Sequence, residues 1–445
     1  MARLPRSLPR RALRPALRLS VLDGIAFAFM VGIGESFLVA DAVRLLASTT
    51  EQGLVVTLPL FVGALGPLIA LRYLGRIPRR KPHVVASVAA QAAVWFLLAW
   101  LDHAGGNDPL VLITLAAFYQ LFGQSSGASW TSWMGDVVPR RLRGRYFGRR
   151  NRWIYLSTCL GVLCGGALLE RFEPTPDALD AGRGFALLYL LAGLARLGSV
   201  LCLWLTPEPA YAGLAPAARA LGFLRTARGT RAWRALVFSG ALYLSVYVAS
   251  PFFTPFMLQE LGFAYWEYTL ATLAIVLFKV LFVPAWGRVI DSHGAHAVFV
   301  LAAFLTAVVP LPWLWADGVV WAVVAQAFSG LAWAGYEVSL LALLFESSYR
   351  GTRPHVFALQ SLLHGGGQLA GSLLGALALT RWNDLRLLFA LSLGTRLALA
   401  LAMPGFVPRT APGETPSKGA LFLRVIGLRP SGGLAHRPVT DDEVD

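Results

Sequence analysis

Six ionisable side chains fall inside stretches that are otherwise apolar: Asp23, Glu35, Arg196, Lys279, Glu337 and Arg396. Burying a charge at mid-membrane costs at least about 2.5–3.5 kcal/mol on insertion scales, so each needs a partner or water. Glu337 shares a helical face with Gln326, Ser329, Gly330 and Trp333, and it is the first choice for meeting a solute or a proton. Glu35, in Gly32-Ile33-Gly34-Glu35-Ser36, is the second. A carboxylate in a partly dry cavity has its charged form disfavoured, so its protonation could be coupled to solute movement. The two arginines recur at an offset of 200 and read as internally paired or snorkelling, and Asp23 as a headgroup contact. His364, before Gly365-Gly366-Gly367-Gln368, has a side chain that can titrate near neutral pH, although a packing histidine is the better reading.

Around these groups runs a wet stripe. Gln120, Gly123, Gln124, Gly127 and Thr131 follow the i, i+3, i+4, i+7, i+11 rhythm of one helical face, and no charge lies between Leu110 and Gly135. The pattern returns 206 residues later as Gln326, Ser329, Gly330, Trp333 and Glu337. A further polar and aromatic face carries Ser239, Tyr243, Tyr247, Ser250 and Thr254. Mildly polar, aromatic walls suit a small amphipathic organic solute. The substrate or coupling set read from these faces is Glu35, Gln120, Gln124, Tyr243, Tyr247, Gln326, Trp333 and Glu337.

The elements that must hold this set are membrane helices. Of 445 residues, 56% are hydrophobic and 14% charged, against about 25% charged in soluble domains. Mean hydropathy is +0.60. Apolar runs of about 20 residues are long enough to span a bilayer. Twelve helices are expected at 21–43, 52–74, 84–102, 109–136, 152–170, 184–206, 234–258, 265–289, 296–315, 318–346, 355–380 and 384–406. The net charge of +15 does not indicate nucleic acid, because the arginines sit in loops between apolar runs. Arg-rich loops alternate with a loop from Asp102 to Asp108 that lacks Lys and Arg, and with a net acidic one from Glu170 to Gly184. The positive-inside rule then places both termini and the central loop in the cytoplasm, with the protein in the cell (inner) membrane.

Five segments follow: a basic cytoplasmic N-terminus (1–20), a six-helix bundle (21–206), a cytoplasmic linker (207–233), a second six-helix bundle (234–406) and a disordered tail (407–445). At an offset of 216, Gly24 pairs with Gly240, Phe37 with Phe253, Glu51 with Glu267 and Arg72 with Arg288, as an old tandem duplication would leave them.

Asp136-x-x-Pro139-x-x-x-Arg143-Gly144 after the fourth helix resembles the acidic-x-x-Pro-x-x-x-Arg-Gly signature of the major facilitator superfamily. A partial copy joins Glu346 to Arg353, with Tyr349 in place of the proline. Gly287-Arg288-Val289-Ile290-Asp291-Ser292-His293-Gly294 resembles the superfamily's Gly-x-x-x-Asp-Arg-x-Gly loop, with Ser292 replacing its arginine. In the first half Gly75 and Pro78 replace the Asp and the last Gly, so that copy is eroded. The resemblance covers residues 20–406 and implies an all-α fold of two pseudo-symmetric six-helix bundles, working as a transporter by alternating access. It also implies a gating set of Asp136, Arg143, Arg288, Asp291, Glu346 and Arg353, with Asp136 and Arg143 as a cytoplasmic latch. The alternative for the arginines is anchoring to anionic headgroups. Ser157-Thr158-Cys159-Leu160-Gly161-Val162-Leu163-Cys164-Gly165-Gly166 resembles the antiporter signature only in part and also reads as close helix packing.

Other classes fare worse. A membrane-embedded transferase would need catalytic carboxylates or histidines gathered at one face, whereas the histidines are scattered and no nucleotide-binding loop is present. A non-transporting sensor on the same bundle stays open. No cofactor or metal is expected, and Cys159, Cys164 and Cys202 read as inert thiols in spans. The expected partners are a small-molecule substrate, with protons left open, and the lipid bilayer; the expected state is a monomer.

Overall fold

The structure, a computed structural model, describes residues 10–74, 76–77, 79–138, 143–172, 178–209, 228, 230–347, 353–407, 422 and 425. Twelve helices among them are long and apolar enough to cross a membrane. They are α1 (Arg11–Arg44), α2 (Thr49–Leu74), α3 (Arg80–Ala104), α4 (Pro109–Val137), α5 (Arg149–Phe172), α6 (Gly182–Leu205), α7 (Arg231–Glu260), α8 (Tyr265–His293), α9 (Ala295–Leu314), α10 (Val319–Glu346), α11 (Val356–Trp382) and α12 (Leu385–Phe406). Most ends lie within a few residues of the expected ones. The exception is α1, whose helical backbone starts at Arg10. Part of the basic N-terminus is thus helix, with Leu13, Ala16 and Leu17 packed against Val84 and Trp133.

Local chemistry sets the ends. Asp108 accepts the amides of Leu110 and Val111 at 2.9 and 3.0 Å, with Pro109 at the first helical position, and Asp384 caps α12 in the same way. Glu51 accepts the Ser48 amide at 2.7 Å, and its repeat mate Glu267 accepts the Ala264 amide at 3.0 Å, so the duplicated pair does one job twice. The expected loop motif at 287–294 is helical up to His293; the break falls on Gly294, at φ +81°.

Two packing rules recur in both halves: α1 packs on α5 and α7 on α11, while α3 packs on α6 and α9 on α12. Gly161 lies against the Gly32 backbone, and Ser157 Oγ donates to the Ile25 carbonyl at 2.8 Å. Gly367 of α11 lies similarly against Gly240 of α7. The small-residue run of α5 is therefore a packing stripe toward α1, continued by Gly165 against Phe37 and Gly166 against Thr269.

The halves meet at the face where α1 leads into α2, here the loop face; the opposite face, where α1 starts and α12 ends, is the terminal face. At the loop face one apolar cluster spans both halves and holds Phe37, Trp95 and Tyr189 with Phe252, Phe256, Trp313 and Phe389. Hydrogen bonds crossing between the halves among the described residues lie there too. Tyr268 Oη donates to the Ser36 carbonyl (2.8 Å), Gln52 Nε2 to Gln259 Oε1 (3.5 Å), and the Trp266 amide to Glu170 (3.3 Å). Toward the terminal face the apolar clusters belong to one half or the other. Among the described residues, the apolar cluster and the hydrogen bonds that join the halves thus gather at the loop face. From the expected disordered tail, Phe422 and Val425 pack on the cluster of Trp286 and Val298; the rest of 408–445, and most of the 207–233 linker, lie outside the described residues.

Candidate functional site

Helix α1 breaks into a 3-10 turn at Glu35–Phe37. Gly34, just before the break, lets Trp95 and Ala192 pack close, since a Cβ there would meet them at about 3 Å. The turn swings Glu35 onto α4, where its carboxylate accepts from Tyr119 Oη at 2.6 Å and from Gln120 Nε2 at 3.1 Å. Trp95 holds the Tyr119 ring edge-on at 4.8 Å. No described Lys or Arg forms an ion pair with Glu35. One turn on, Gln124 is exposed beside Gly63 of α2; Gly127 faces open space and Thr131 is exposed. Of the expected first-half set, the structure joins Glu35 to Gln120 directly and places Gln124 on the same stripe.

The second half builds an aromatic box. The Tyr243 ring stacks on His364 at 3.9 Å, meets Trp333 edge-on at 5.7 Å and lies parallel to Tyr247 at 6.1 Å, with buried Tyr336 behind. Ser239 Oγ donates to the Leu236 carbonyl at 2.9 Å and so accepts from His364 Nε2, 3.0 Å away. The histidine is fixed by stacking and by one hydrogen bond, in line with a packing role. Gln326 is half-buried two turns before Trp333.

Glu337, the first choice for meeting a solute or a proton, is paired. Lys279 Nζ of α8 lies 2.7 Å from its carboxylate, the two side chains being 34% and 45% exposed. A half-exposed pair of this kind adds about 0–1 kcal/mol to stability. Fold stability therefore gives little reason for the pair. Glu337 follows Tyr336, whose ring meets Trp333 edge-on at 5.6 Å, so the pair lies next to the box along α10.

Helix α2 lies between the half-sites, in contact with α4 on one side and α11 on the other. Gly63 lies against Gln120 and Gln124, and the next residue, Ala64, against Gly365, the neighbour of His364.

The gating set is only partly as expected. Asp136 pairs with Arg80 Nη1 at 2.6 Å, not with a described Arg143 contact, and Arg80 also binds the Ser132 carbonyl and Glu208. Arg80 is fully buried where α3, α4 and the end of α6 converge, so the Asp136 carboxylate ties one half together. In the second half, Glu346 faces Arg231 at 3.8 Å. The side chains of Arg143 and Arg353 lie outside the described residues. Arg288 and Asp291 are exposed on the last turns of α8, with no ion pair among the described residues. Asp23, read as a headgroup contact, is buried instead: it accepts from Ser199 Oγ at 2.6 Å and lies 3.6 Å from Arg150. Arg196 is held by Gln91 and Ser199, and Arg396 by Ser392 Oγ and the carbonyls of Thr306 and Val246, so both arginines pair internally as expected.

Twelve membrane-length helices whose packing repeats in the two halves agree with the comparison with known families, in which the Major Facilitator Superfamily model matches residues 19–249 and 235–431. The chain belongs to the major facilitator superfamily. No curated protein matches it. Among solved structures, the superfamily member is similar to the nucleoside transporter NupG, at 12% identity and a TM-score of 0.69 over 90% of this chain and 100% of that one. It is similar to a D-xylose-proton symporter (15%, 0.65, 89% and 97%) and to a POT family transporter in complex with 5-aminolevulinic acid (12%, 0.67, 89% and 96%). At such identities the likeness shows the fold of this multi-pass membrane protein, and the differing solutes in those names belong to those proteins.

Tyr119, Lys279, Arg80 and Arg231 were not singled out by the sequence patterns as members of these clusters. Lys279 was visible as a charge inside a span, but helical spacing relates residues of one helix and gives no register between α8 and α10.

Proposed function

We propose that this superfamily member is a secondary transporter that moves a small amphipathic organic solute by alternating access. The observation that carries the reading is one half-site in each half, Glu35–Gln120 with Gln124 and Tyr243–His364–Trp333 with Tyr247, in a molecule whose halves share an apolar cluster at the loop face. A flat, weakly polar solute stacks in the box and presents hydrogen-bonding edges to the carboxamides and carboxylate. Gln326 and the Lys279–Glu337 pair offer a polar rim. The two bundles, 21–206 and 234–406, rock about this level, with the 207–233 linker and both termini in the cytoplasm. The loop face, with the cluster shared by both halves, then lies away from the cytoplasm.

Proton coupling fits Glu35 better than Glu337, because the described partners of Glu35 are neutral donors whereas Glu337 has an ammonium beside it. The test is counterflow in proteoliposomes against a panel of aromatic amines, nucleosides and glycosides, with tryptophan fluorescence as a parallel binding readout. A bound solute quenches emission in the parent protein, and Tyr243→Ala weakens both signals at least tenfold. Solute binding without any counterflow would favour the sensor reading, and transport unchanged by Tyr243→Ala would remove the box from the path.

A further inference from the structure

At the loop face, away from the solute site, a second polar cluster fastens the last segment of α1. Arg44 Nε donates to Asp41 Oδ1 at 2.7 Å and Arg44 Nη2 to Asp102 Oδ1 at 2.5 Å. Tyr189 Oη donates to Asp41 Oδ2 at 2.8 Å, and Asn107 Nδ2 to Asp102 Oδ1 at 3.0 Å. Both carboxylate side chains are fully buried, and one guanidinium serves the two of them. With both acids ionised the cluster would hold an uncompensated buried negative charge, which a protein interior disfavours.

Two atoms show where the balance is restored. Asp102 Oδ2 and Asn107 Oδ1 are both buried without a hydrogen-bond partner, on two side chains already joined along their other edge. Both are acceptors while the carboxyl is ionised. Flipping the amide would only set an oxygen against Asp102 Oδ1. A proton on Oδ2 donates to Asn107 Oδ1 and closes the acid–amide pair. It satisfies both orphan oxygens and leaves one anion, Asp41, for one cation, Arg44. A metal ion fits poorly, since two oxygens are too few for it and Arg44 already lies against both carboxylates.

We infer that Asp102, paired with Asn107, is a proton-binding site, occupied while the loop face is sealed. The ionisable groups facing it are Asp41 and Arg44 from α1 and Tyr189 from α6; His103, Asp108 and Arg183 flank it in exposed positions. The link to the seal is short. The Arg44 guanidinium sits 5.0 Å over the Phe185 ring, and Phe185 meets Tyr265 of the second half edge-on at 6.1 Å. On the same stretch of α1, Ser36 accepts the cross-half hydrogen bond from Tyr268. Loss of the proton leaves two anions on one guanidinium and favours exposing the segment to water, which opens the seal.

Proton binding is independent of the transport reading, and its test needs no substrate. Infrared spectra of the purified protein near neutral pH should contain a carboxylic-acid carbonyl band that Asp102→Asn removes and Glu35→Gln leaves in place. Asn107→Val should keep that band but move it to higher frequency, since the acceptor is gone. The thermal midpoint of the parent protein should fall as pH rises through the loss of the proton, while Asp102→Asn, the isostere of the acid, stays flat over that range. A band unchanged by Asp102→Asn overturns the site. So does Asp102-dependent stabilisation by sodium at fixed pH, which would make the ligand a metal ion. The seal is read separately: Ser36→Cys should label from the loop face more readily as pH rises, and no longer so once Asp102→Asn is added. Labelling that keeps its pH response in that double variant would break the link to the seal.

Discussion

At the scale of single residues, partners decide roles. Asp136 resembles half of a superfamily latch, yet its described partner is Arg80, which has no exposure at all. Removing one member of a buried pair leaves the other charge unpaired and typically costs about 3–5 kcal/mol. Arg80→Ala is expected to fall toward the lower end of that range, because the carboxylates it strands, Glu208 and Asp136, are 15% and 32% exposed and keep part of their water. Asp136→Asn, which leaves Arg80 with Glu208 and Ser132, is expected to cost about 1–2 kcal/mol. Denaturant or thermal melts in detergent check the order, and equal losses would mean that Arg80 does not act through both acids. The same comparison shows what single-residue reading can reach. Asp136, Glu35 and Glu337 stand out because charge is rare in apolar helices. Their partners Arg80, Tyr119 and Lys279 do not, because pairing is set by the packing of one helix on another, and no periodicity within a helix encodes it.

At the scale of elements, legibility is much higher. Twelve apolar runs and their repeat are visible because length and hydropathy are properties of one segment at a time. Capping adds to this, since Asp108-Pro109 and Ser48 with Glu51 announce where helices start. What stayed hidden is the break in α1 at Glu35 and the helical continuation of α8 through its motif to Gly294, because both depend on neighbours. Glycines give the sharpest test at this scale. A Cβ on Gly161 would come within 2.6 Å of the Phe29 carbonyl oxygen, whereas one on Gly127 meets nothing within 4 Å. Gly161→Val should force α1 and α5 apart and cost about 1–3 kcal/mol or more, as overpacking does. Gly127→Ala should be neutral or stabilise by up to about 1 kcal/mol through helix propensity. Folded yield and melting temperature in detergent report both, and a tolerated Gly161→Val would show that the α1–α5 contact is looser than the structure has it.

At the scale of the whole molecule, the apolar cluster that the two halves share lies at the loop face. On a background lacking Cys159, Cys164 and Cys202, Gly127→Cys and Gly366→Cys should react with a membrane-impermeant maleimide applied to the terminal face. Thr269→Cys, buried against Gly166, should be protected. Faster labelling at 269 than at 127 would mean that the opposite state dominates. The shared core has a thermal consequence of its own. Under the proposed alternating access, turning the molecule inside out must bring Phe37, Tyr268 and their neighbours into contact with water, and newly wetted apolar surface raises heat capacity by about 0.45 cal/mol/K for each Å². The balance between the two states is then curved in temperature: its van't Hoff plot bends, and the enthalpy of switching changes steadily on warming. A transporter closed by an oily plug at one end keeps time by a clock whose rate constant has no single activation energy.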